Sequence, residues 1–479
     1  MKICLIAEGC YPYVVGGVSS WIHSMIQAWP QVEFILLAII PDRSIRGQFK
    51  YELPENLSEV YEVYLSDKDW APRRHSKRRT RLGSKEYRAL QSIVFGKDVD
   101  WDTVFTMFQK KHFSLDDLLM GGDFLNIVQE YYGQRYPYIG FSDFLWTIRS
   151  IYLPLFQVLK THLPKADIYH CVATGYAGVL GSMAAYLHGG ALLISEHGIY
   201  TREREEELLK ASWVDGIYKN IWMDQFQKMS HLAYERADVV TCLYGRAGKL
   251  QAELGCPKEK IRVTPNGIVM ERLADLPGRT EEDGDYVNAG AILRVTPIKD
   301  VKTMIRAFAF AKERNSRLRL WIMGPTDEDE KYAQECMELV EGLGVPDVFF
   351  TGRVDIREYL GRMDFTLLTS ISEGQPLTIL ESYAARKPVI ATDVGNCREL
   401  IYGEDDGCGT AGILTHVMNI TEISQAILEL AGSKKQREDM GERGFRRVQT
   451  RHQLHQMQQS YEGIYKEIGL AHGKQWGER

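Results

Sequence analysis

Short apolar runs punctuate the first half of the chain at 2–7, 33–40, 167–171, 191–195, 238–242 and 260–263, each the length of a strand. Between them, apolar residues recur with helical spacing over about 18–29, 175–188 and 203–236. Strands that are apolar throughout, rather than alternating, are covered on both faces, and helices in the gaps supply the two covering layers. The pattern predicts α/β structure with parallel, doubly wound sheets. Residues 67–150 break the rhythm; rich in aromatic and charged side chains and without a clean strand, they read as a largely helical insertion. Pro, Gly and acidic residues gather in "LADLPGRTEEDGD" (273–285), as in a linker. The alternation then restarts with runs at 286–293, 318–323, 348–350, 365–369 and 389–391. The expected division is a first Rossmann-like domain over 1–275, a second over 276–451, and a C-terminal helix over 452–479 that packs back across the first. In such sheets ligands bind at the carboxyl ends of the strands, so the chemistry is sought in the loops there.

Composition narrows the function classes. A chain of 479 residues exceeds what one core serves, and a net charge of −6 carries no nucleic-acid footprint. The eight cysteines are scattered without a C-x-x-C, which argues against a disulfide framework or a metal site and for a reducing compartment. The apolar run of "MKICLIAEGCYPY" is too short for a signal peptide, and no run reaches the roughly 20 residues of a membrane span. A cytoplasmic location is expected, peripheral at the membrane only through partners.

Residues 370–395 read "SISEGQPLTILESYAARKPVIATDVG". Glu373 falls in the loop after a buried strand, and Pro376 suits the first position of a helix. The N–H groups of Gln375, Leu377 and Thr378 would then point from a positive helix end toward anionic or hydroxyl oxygens, and Gly374 lets backbone approach a ligand. Glu381 lies further along that helix, about 7–8 Å past its start. The two carboxylates can therefore touch separate parts of one extended ligand. Either alone would be a solvated surface group; the setting argues against that.

In "AILRVTPIKD", Arg294 and Lys299 follow the first strand of the second domain and offer fixed positive charge for a diphosphate. In "YVVGGVSSWI", Gly16 and Gly17 open a helix after the first strand. "LLISEHGIYTRERE" ends a strand with His197, and Tyr200 and Arg202 follow as candidate acceptor contacts. His170, at a neighbouring strand end, reads as structural. Asp327, Glu328 and Asp329 read as acids at a helix start rather than a metal site. The basic run 73–81, "RRHSKRRTR", reads as a solvated segment, with an anionic membrane surface or an acidic partner as the sharper alternative.

Glu373 and Glu381 with seven residues between them, followed by "KPVIATDVG", resemble the signature of retaining glycosyltransferases of the GT4 family. The resemblance implies a GT-B fold, two Rossmann-like domains facing across a cleft. It implies that Glu373 holds donor-sugar hydroxyls, Glu381 the ribose hydroxyls of the nucleotide, and Arg294 with Lys299 the diphosphate. Leu293 and Asp300 stand where the family usually has glycines. His197 would lie near the transferred sugar. Gly17, Gly374, Gln375, Pro376, Leu377, Thr378 and Arg353, from "FFTGRV", would complete the donor site. His197, Glu373, Arg294 and Lys299 are the catalytic expectation. "VTPNGI" (263–268) resembles the family's turn between domains, with Val269 in place of the usual acid.

Finer details, "EGCYPYVVGGVSSWI", "YELPENL", "SEHGIYTRERE", "RVTPIKD" and the insertion, are similar to the PelF group of cytosolic glycosyltransferases of Pel exopolysaccharide synthesis. That implies a UDP-sugar donor (glucose or an N-acetylhexosamine), a growing exopolysaccharide as acceptor, and a membrane-bound synthase and exporter as partners. No metal or other cofactor is expected. Retention would come from same-face attack, the leaving phosphate oxygen taking the acceptor's proton. Two other readings remain: a sugar-nucleotide epimerase on the same fold, and a UDP-binding regulatory subunit of a polysaccharide synthase. A phosphorylase would need a lysine motif for pyridoxal phosphate, which the chain lacks.

Overall fold

In the computed structural model, which describes residues 1–66, 81–211, 214 and 216–476, the apolar runs form two parallel sheets, one in each of two units. The first unit holds Met1–Cys242, Gly248–Val263 and the chain from Tyr461 onward; the second holds Leu243–Ala247 and Thr264–Ser460.

The first sheet has seven strands: β1 (Lys2–Glu8), β2 (Glu33–Ile40), β3 (Leu57–Tyr64), β4 (Ile168–Cys171), β5 (Ala191–Glu196), β6 (Val239–Cys242) and β7 (Ile261–Val263), in the order β3-β2-β1-β4-β5-β6-β7. Ile3, Cys4, Leu5 and Ile6 of β1 are all fully buried, which is why its sequence runs apolar without alternation. The edge strand β3 escapes the sequence pattern because only Leu57 and Val63 are buried, among Ser58, Glu59 and Glu62. The described part of the insertion is helical, at Ser84–Phe95, Trp101–Lys110, Leu115–Leu119, Gly122–Arg135 and Phe141–Leu159. It is no separate body: Ile93, Phe105, Phe124 and Tyr152 share one core with Cys4, Ile35 and Leu37 of the sheet. Residues 203–236, expected as one helix, form two, Tyr200–Lys210 and Gly216–Arg236.

The second sheet has β8 (Val287–Ile292), β9 (Leu318–Met323), β10 (Val348–Gly352), β11 (Phe365–Leu368), β12 (Val389–Thr392) and β13 (Gly412–Thr415), in the order β10-β9-β8-β11-β12-β13. Strand order reverses between β8 and β11, so the loops after those two strands flank the crevice where doubly wound folds bind ligands.

The units divide at Val263/Thr264, upstream of the boundary expected near 275. The stretch 273–285 is not a free linker. Asp283, fully buried, accepts hydrogen bonds from Thr280 N (2.7 Å) and Asn288 Nδ2 (2.9 Å) and pairs with Arg362 at 2.9 Å. Burial opposes its charge, but Arg362 and these donors outweigh it and hold the carboxyl low. One acid of what looks like linker composition, Asp283, thus ties this segment to the second unit. At the other end of the chain, Tyr461 and Tyr465 are buried in the first unit, where Tyr465 Oη lies 2.6 Å from His170 Nδ1. All eight cysteines are free, and among the described residues no helix is long and apolar enough to cross a membrane.

Candidate active site

In the second unit, the loop after β8 carries Arg294 and Lys299, and the loop after β11 carries Glu373. The two loops are laced together: Ile371 N donates to Ile298 O (2.8 Å) and Thr369 Oγ1 to Lys299 O (3.0 Å). Lys299 Nζ consequently reaches Glu373 Oε1 at 2.5 Å, and Ser370 Oγ donates to the same oxygen at 2.5 Å. The pair is largely withdrawn from solvent, with side-chain exposures of 16% and 11%. Glu373 Oε2 has no hydrogen bond among the described residues, so the carboxylate is oriented through one oxygen with the other available to a ligand. Behind it, Asn396 N holds Gly374 O (2.9 Å) and Thr392 Oγ1 holds Ser370 O (2.6 Å).

Pro376 stands one residue outside the helix, with extended ψ, and Leu377–Ala384 is helical. Among the described residues the N–H groups of Leu377 and Thr378 have no acceptor, as expected of a first turn. Gln375 departs from its expected role in part. Its side chain is buried and turned to the "VTPNGI" turn, Oε1 accepting from Asn266 N (2.7 Å) and Nε2 meeting His452 Nδ1 (3.3 Å). Only its backbone remains for a donor. Burial lowers His452 to about 4, so it is neutral. Glu381 has no side-chain partner among the described residues, and burial pushes its carboxyl up to about 7.

Arg294 does not join Lys299. It is half-exposed and pairs with Glu328 at 2.8 Å. Asp329 caps the helix Glu330–Leu343, accepting from Tyr332 N (2.9 Å), as an acid at a helix start should. Asp300 occupies the left-handed region (φ 46°), which explains how Asp serves where glycine is usual: it tolerates that conformation and caps the helix Val301–Arg314. Arg353 is exposed beyond β10.

In the first unit, Gly16 and Gly17 open the helix Gly17–Ala28, and a Cβ at either would meet nothing within 4 Å. Internal packing does not demand these glycines. One turn on, Trp21 is buried, its Nε1 without a partner among the described residues, and meets the His197 ring edge-on, centroids 4.5 Å apart. His197 Nε2 is likewise buried without a partner among the described residues, and burial lowers the ring to about 4. At neutral pH it is an uncharged hydrogen-bonding group. His170 is structural: it lies between Tyr465 Oη (2.6 Å) and Ser195 Oγ (2.7 Å), with burial pushing it down to about 3.

Tyr200 is not available as an acceptor contact. It is 5% exposed, and its hydroxyl donates to Glu8 Oε1 (3.0 Å) while its ring fills the space a Cβ at Gly175 would need. Arg202 is exposed on the same helix, 3.7 Å from Glu205. The basic run 73–81 lies outside the described residues except for Arg81. Sequence reasoning passed over Trp21, Ser370 and Gly395. The first two look like any apolar or loop residue, whereas Gly395, at the end of the quoted motif, carried the signal of a glycine after a strand.

The family model described as "Domain of unknown function (DUF3492)" matches residues 1–259, and that of "Glycosyl transferases group 1" matches residues 286–433. EpsD of Bacillus subtilis (strain 168) is 29% identical over 266 residues, covering 54% of this chain and 66% of that protein. The N-acetyl-alpha-D-glucosaminyl L-malate synthase of Bacillus anthracis is 27% identical over 245 residues, covering 49% and 61%. The chain thus spans about two thirds or less of the length of these curated relatives. Among solved structures, Anabaena HepE in complex with UDP-glucose superposes with a TM-score of 0.61 at 15% identity, covering 98% of this chain and 100% of that one. The likeness shows that the fold is that of GT-B glycosyltransferases.

Proposed function

The chain belongs to the DUF3492 family and carries a group 1 glycosyltransferase domain, and on that premise we propose that it is a retaining hexosyltransferase moving a sugar from a UDP-sugar to a growing exopolysaccharide. The observation that carries the reading is the Glu373 carboxylate, oriented through one oxygen by Lys299 and Ser370, eight residues before Glu381, which has no side-chain partner among the described residues. One carboxylate suits donor-sugar hydroxyls and the other the two ribose hydroxyls, since ionised carboxylates only accept. HepE, of the same fold, is described with UDP-glucose, and the Bacillus anthracis relative is named for an N-acetylglucosaminyl product. Glucose or an N-acetylhexosamine is therefore the favoured donor sugar.

As the glycosidic bond breaks, negative charge grows on the departing diphosphate. Lys299, Arg294 once released from Glu328, and the free N–H groups of Leu377 and Thr378 are the preorganised groups that meet it. Neutral His197 can hydrogen-bond a sugar hydroxyl without adding charge. Attack from the leaving-group face, with the phosphate oxygen taking the acceptor's proton, retains configuration and needs no metal. The resemblance to PelF supports a place beside a membrane-bound synthase and exporter.

UDP release from purified protein, measured over a panel of UDP-sugars with and without EDTA, tests this. Turnover with one or two donors, insensitive to EDTA, is expected. UDP binding without turnover of any donor would replace the transferase by a regulatory subunit, and conversion of one UDP-sugar into another would make it an epimerase.

A further inference from the structure

The connection between the parallel strands β2 and β3 runs from 41 to 56 with a single 3-10 turn, Arg43–Ile45. So long an irregular crossover in a packed domain is commonly functional. It is pinned to the loop after β1. Lys50 N donates to Pro12 O (2.8 Å), Phe49 packs on Tyr13 (centroids 5.4 Å), and Tyr51 packs on Tyr11 and His23 (5.2 Å each). Tyr13 is fixed beneath by its hydrogen bond to Glu62, which also accepts from Gly47 N (3.1 Å). On top of this base, Val14 and Val15 are 49% and 53% exposed and Phe49 37%. Polar atoms are interleaved with them: Ser20 Oγ lies 3.2 Å from Tyr51 Oη, and Tyr11 Oη 3.2 Å from His23 Nδ1.

We propose that this surface, built on Phe49, Tyr51, Ser20, His23 and the Val14–Val15 pair, is an oligosaccharide-binding subsite for the acceptor chain. A pyranose ring presents an apolar C–H face and an equatorial fringe of hydroxyls; rigid aromatic rings serve the first, and the Tyr51, Ser20 and His23 groups serve the second. Position favours a glycan. Ser20 and His23 lie on one flank of the helix Gly17–Ala28, whose Trp21 lies against His197 on another. The subsite and His197 are thus separated by about one helix diameter, ~10 Å, or roughly two sugar rings. A membrane surface fits less well, because the nearby Arg46 is paired with Glu62 (3.4 Å) and tyrosine hydroxyls break the apolar area. The inference rests on the transferase reading above, but its binding test does not.

The test is a titration of the full chain with cellopentaose and with chitopentaose, followed by calorimetry and saturation-transfer NMR. The wild type should bind one of them, with contacts from ring protons of Phe49 and Tyr51. Phe49→Ala and Tyr51→Ala should each weaken that binding about tenfold, and Tyr51→Phe by less, because it keeps the ring. Pentasaccharide binding without any UDP release would sustain the subsite and sink the transferase; UDP-sugar turnover with pentasaccharide affinity untouched by all three substitutions would sink the subsite alone. No binding of either pentasaccharide would overturn it, and if phosphatidylglycerol vesicles then bind and lose that binding in Val14→Ser/Val15→Ser, the surface is a membrane contact instead.

Discussion

A Cβ at Gly395 would fall 2.2 Å from the carbonyl oxygen of Glu373 and 2.4 Å from that of Gly374, and Gly395 itself has φ +52°. The loop that presents the Glu373 carboxylate therefore rests on a position only glycine can fill. Gly395→Ala should push the Glu373 loop forward and cost on the order of 1–3 kcal/mol in stability. Turnover should fall further than the melting temperature alone explains. A variant with wild-type melting and turnover would show the support to be dispensable.

Lys299 and Glu373 act as one unit if the 2.5 Å contact orients the carboxylate. Lys299→Ala and Glu373→Ala should each reduce turnover roughly a hundred-fold or more. The double variant should be little worse than either, because groups acting together are not additive. UDP affinity should survive Glu373→Ala. Fully multiplicative losses in the cycle would mean the two residues work independently.

Glu381 makes a pH prediction with two opposite signs. Burial raises its carboxyl to about 7 from an ordinary 4.5, so the folded state prefers the neutral acid. That contribution is complete below about pH 4.5 and is lost as pH rises through about 7. Glu381→Gln, permanently neutral, should gain on the wild type in melting temperature as pH rises from about 4.5 to about 7 and hold that lead above it. UDP binding should run the other way. On the proposed role ribose hydroxyls donate to the ionised form, so wild-type affinity should climb over the same range while the Gln variant stays flat and weak. Parallel calorimetric slopes for the two proteins would remove Glu381 from the nucleotide site.

The Arg294–Glu328 pair is half-exposed, and such pairs contribute about 0–1 kcal/mol. Glu328→Gln should release Arg294 toward the donor and lower the KM for UDP-sugar by up to about fivefold with kcat little changed. Arg294→Ala should instead lower kcat. A raised KM in Glu328→Gln would assign Glu328 a direct part in donor binding.

His170 bridges Tyr465 and Ser195 inside the first unit. Removing it in His170→Ala leaves the buried Tyr465 hydroxyl without its partner, while Ser195 keeps Thr241 Oγ1 (2.8 Å), and opens a cavity, at a cost of about 2–4 kcal/mol in urea unfolding. Its pKa is depressed to about 3, so its contribution is present above the unfolded value near 6.5 and is lost as pH falls through about 3. The gap between wild type and variant should therefore narrow on acidification. A gap that widened below pH 6 would contradict the buried neutral ring.

Much of this was legible in the chain alone, because the features concerned are local. The run from Ile3 to Ile6 is apolar at every position because both faces of β1 are covered, and burial on two faces leaves no other pattern. Glu373, Pro376 and Glu381 could be placed on a strand-end loop and its helix because a proline near a helix start and a fixed rise per residue settle that geometry within one segment. Edge strands were not legible: β3 buries Leu57 and Val63 alone, so its composition resembles a loop. Partnerships between side chains were decided only by the tertiary structure. Lys299 and Glu373 stand 74 residues apart, and their contact exists because β8 and β11 are neighbours and their loops are laced by Ile371 and Thr369. Arg294, five residues before Lys299, faces Glu328 instead. Tyr200, which the chain places beside His197, turns inward to Glu8 on a distant strand. Sequence periodicity encodes which positions are buried and how the backbone runs locally; which buried group meets which is settled when strands remote in sequence pair and bring their loops together.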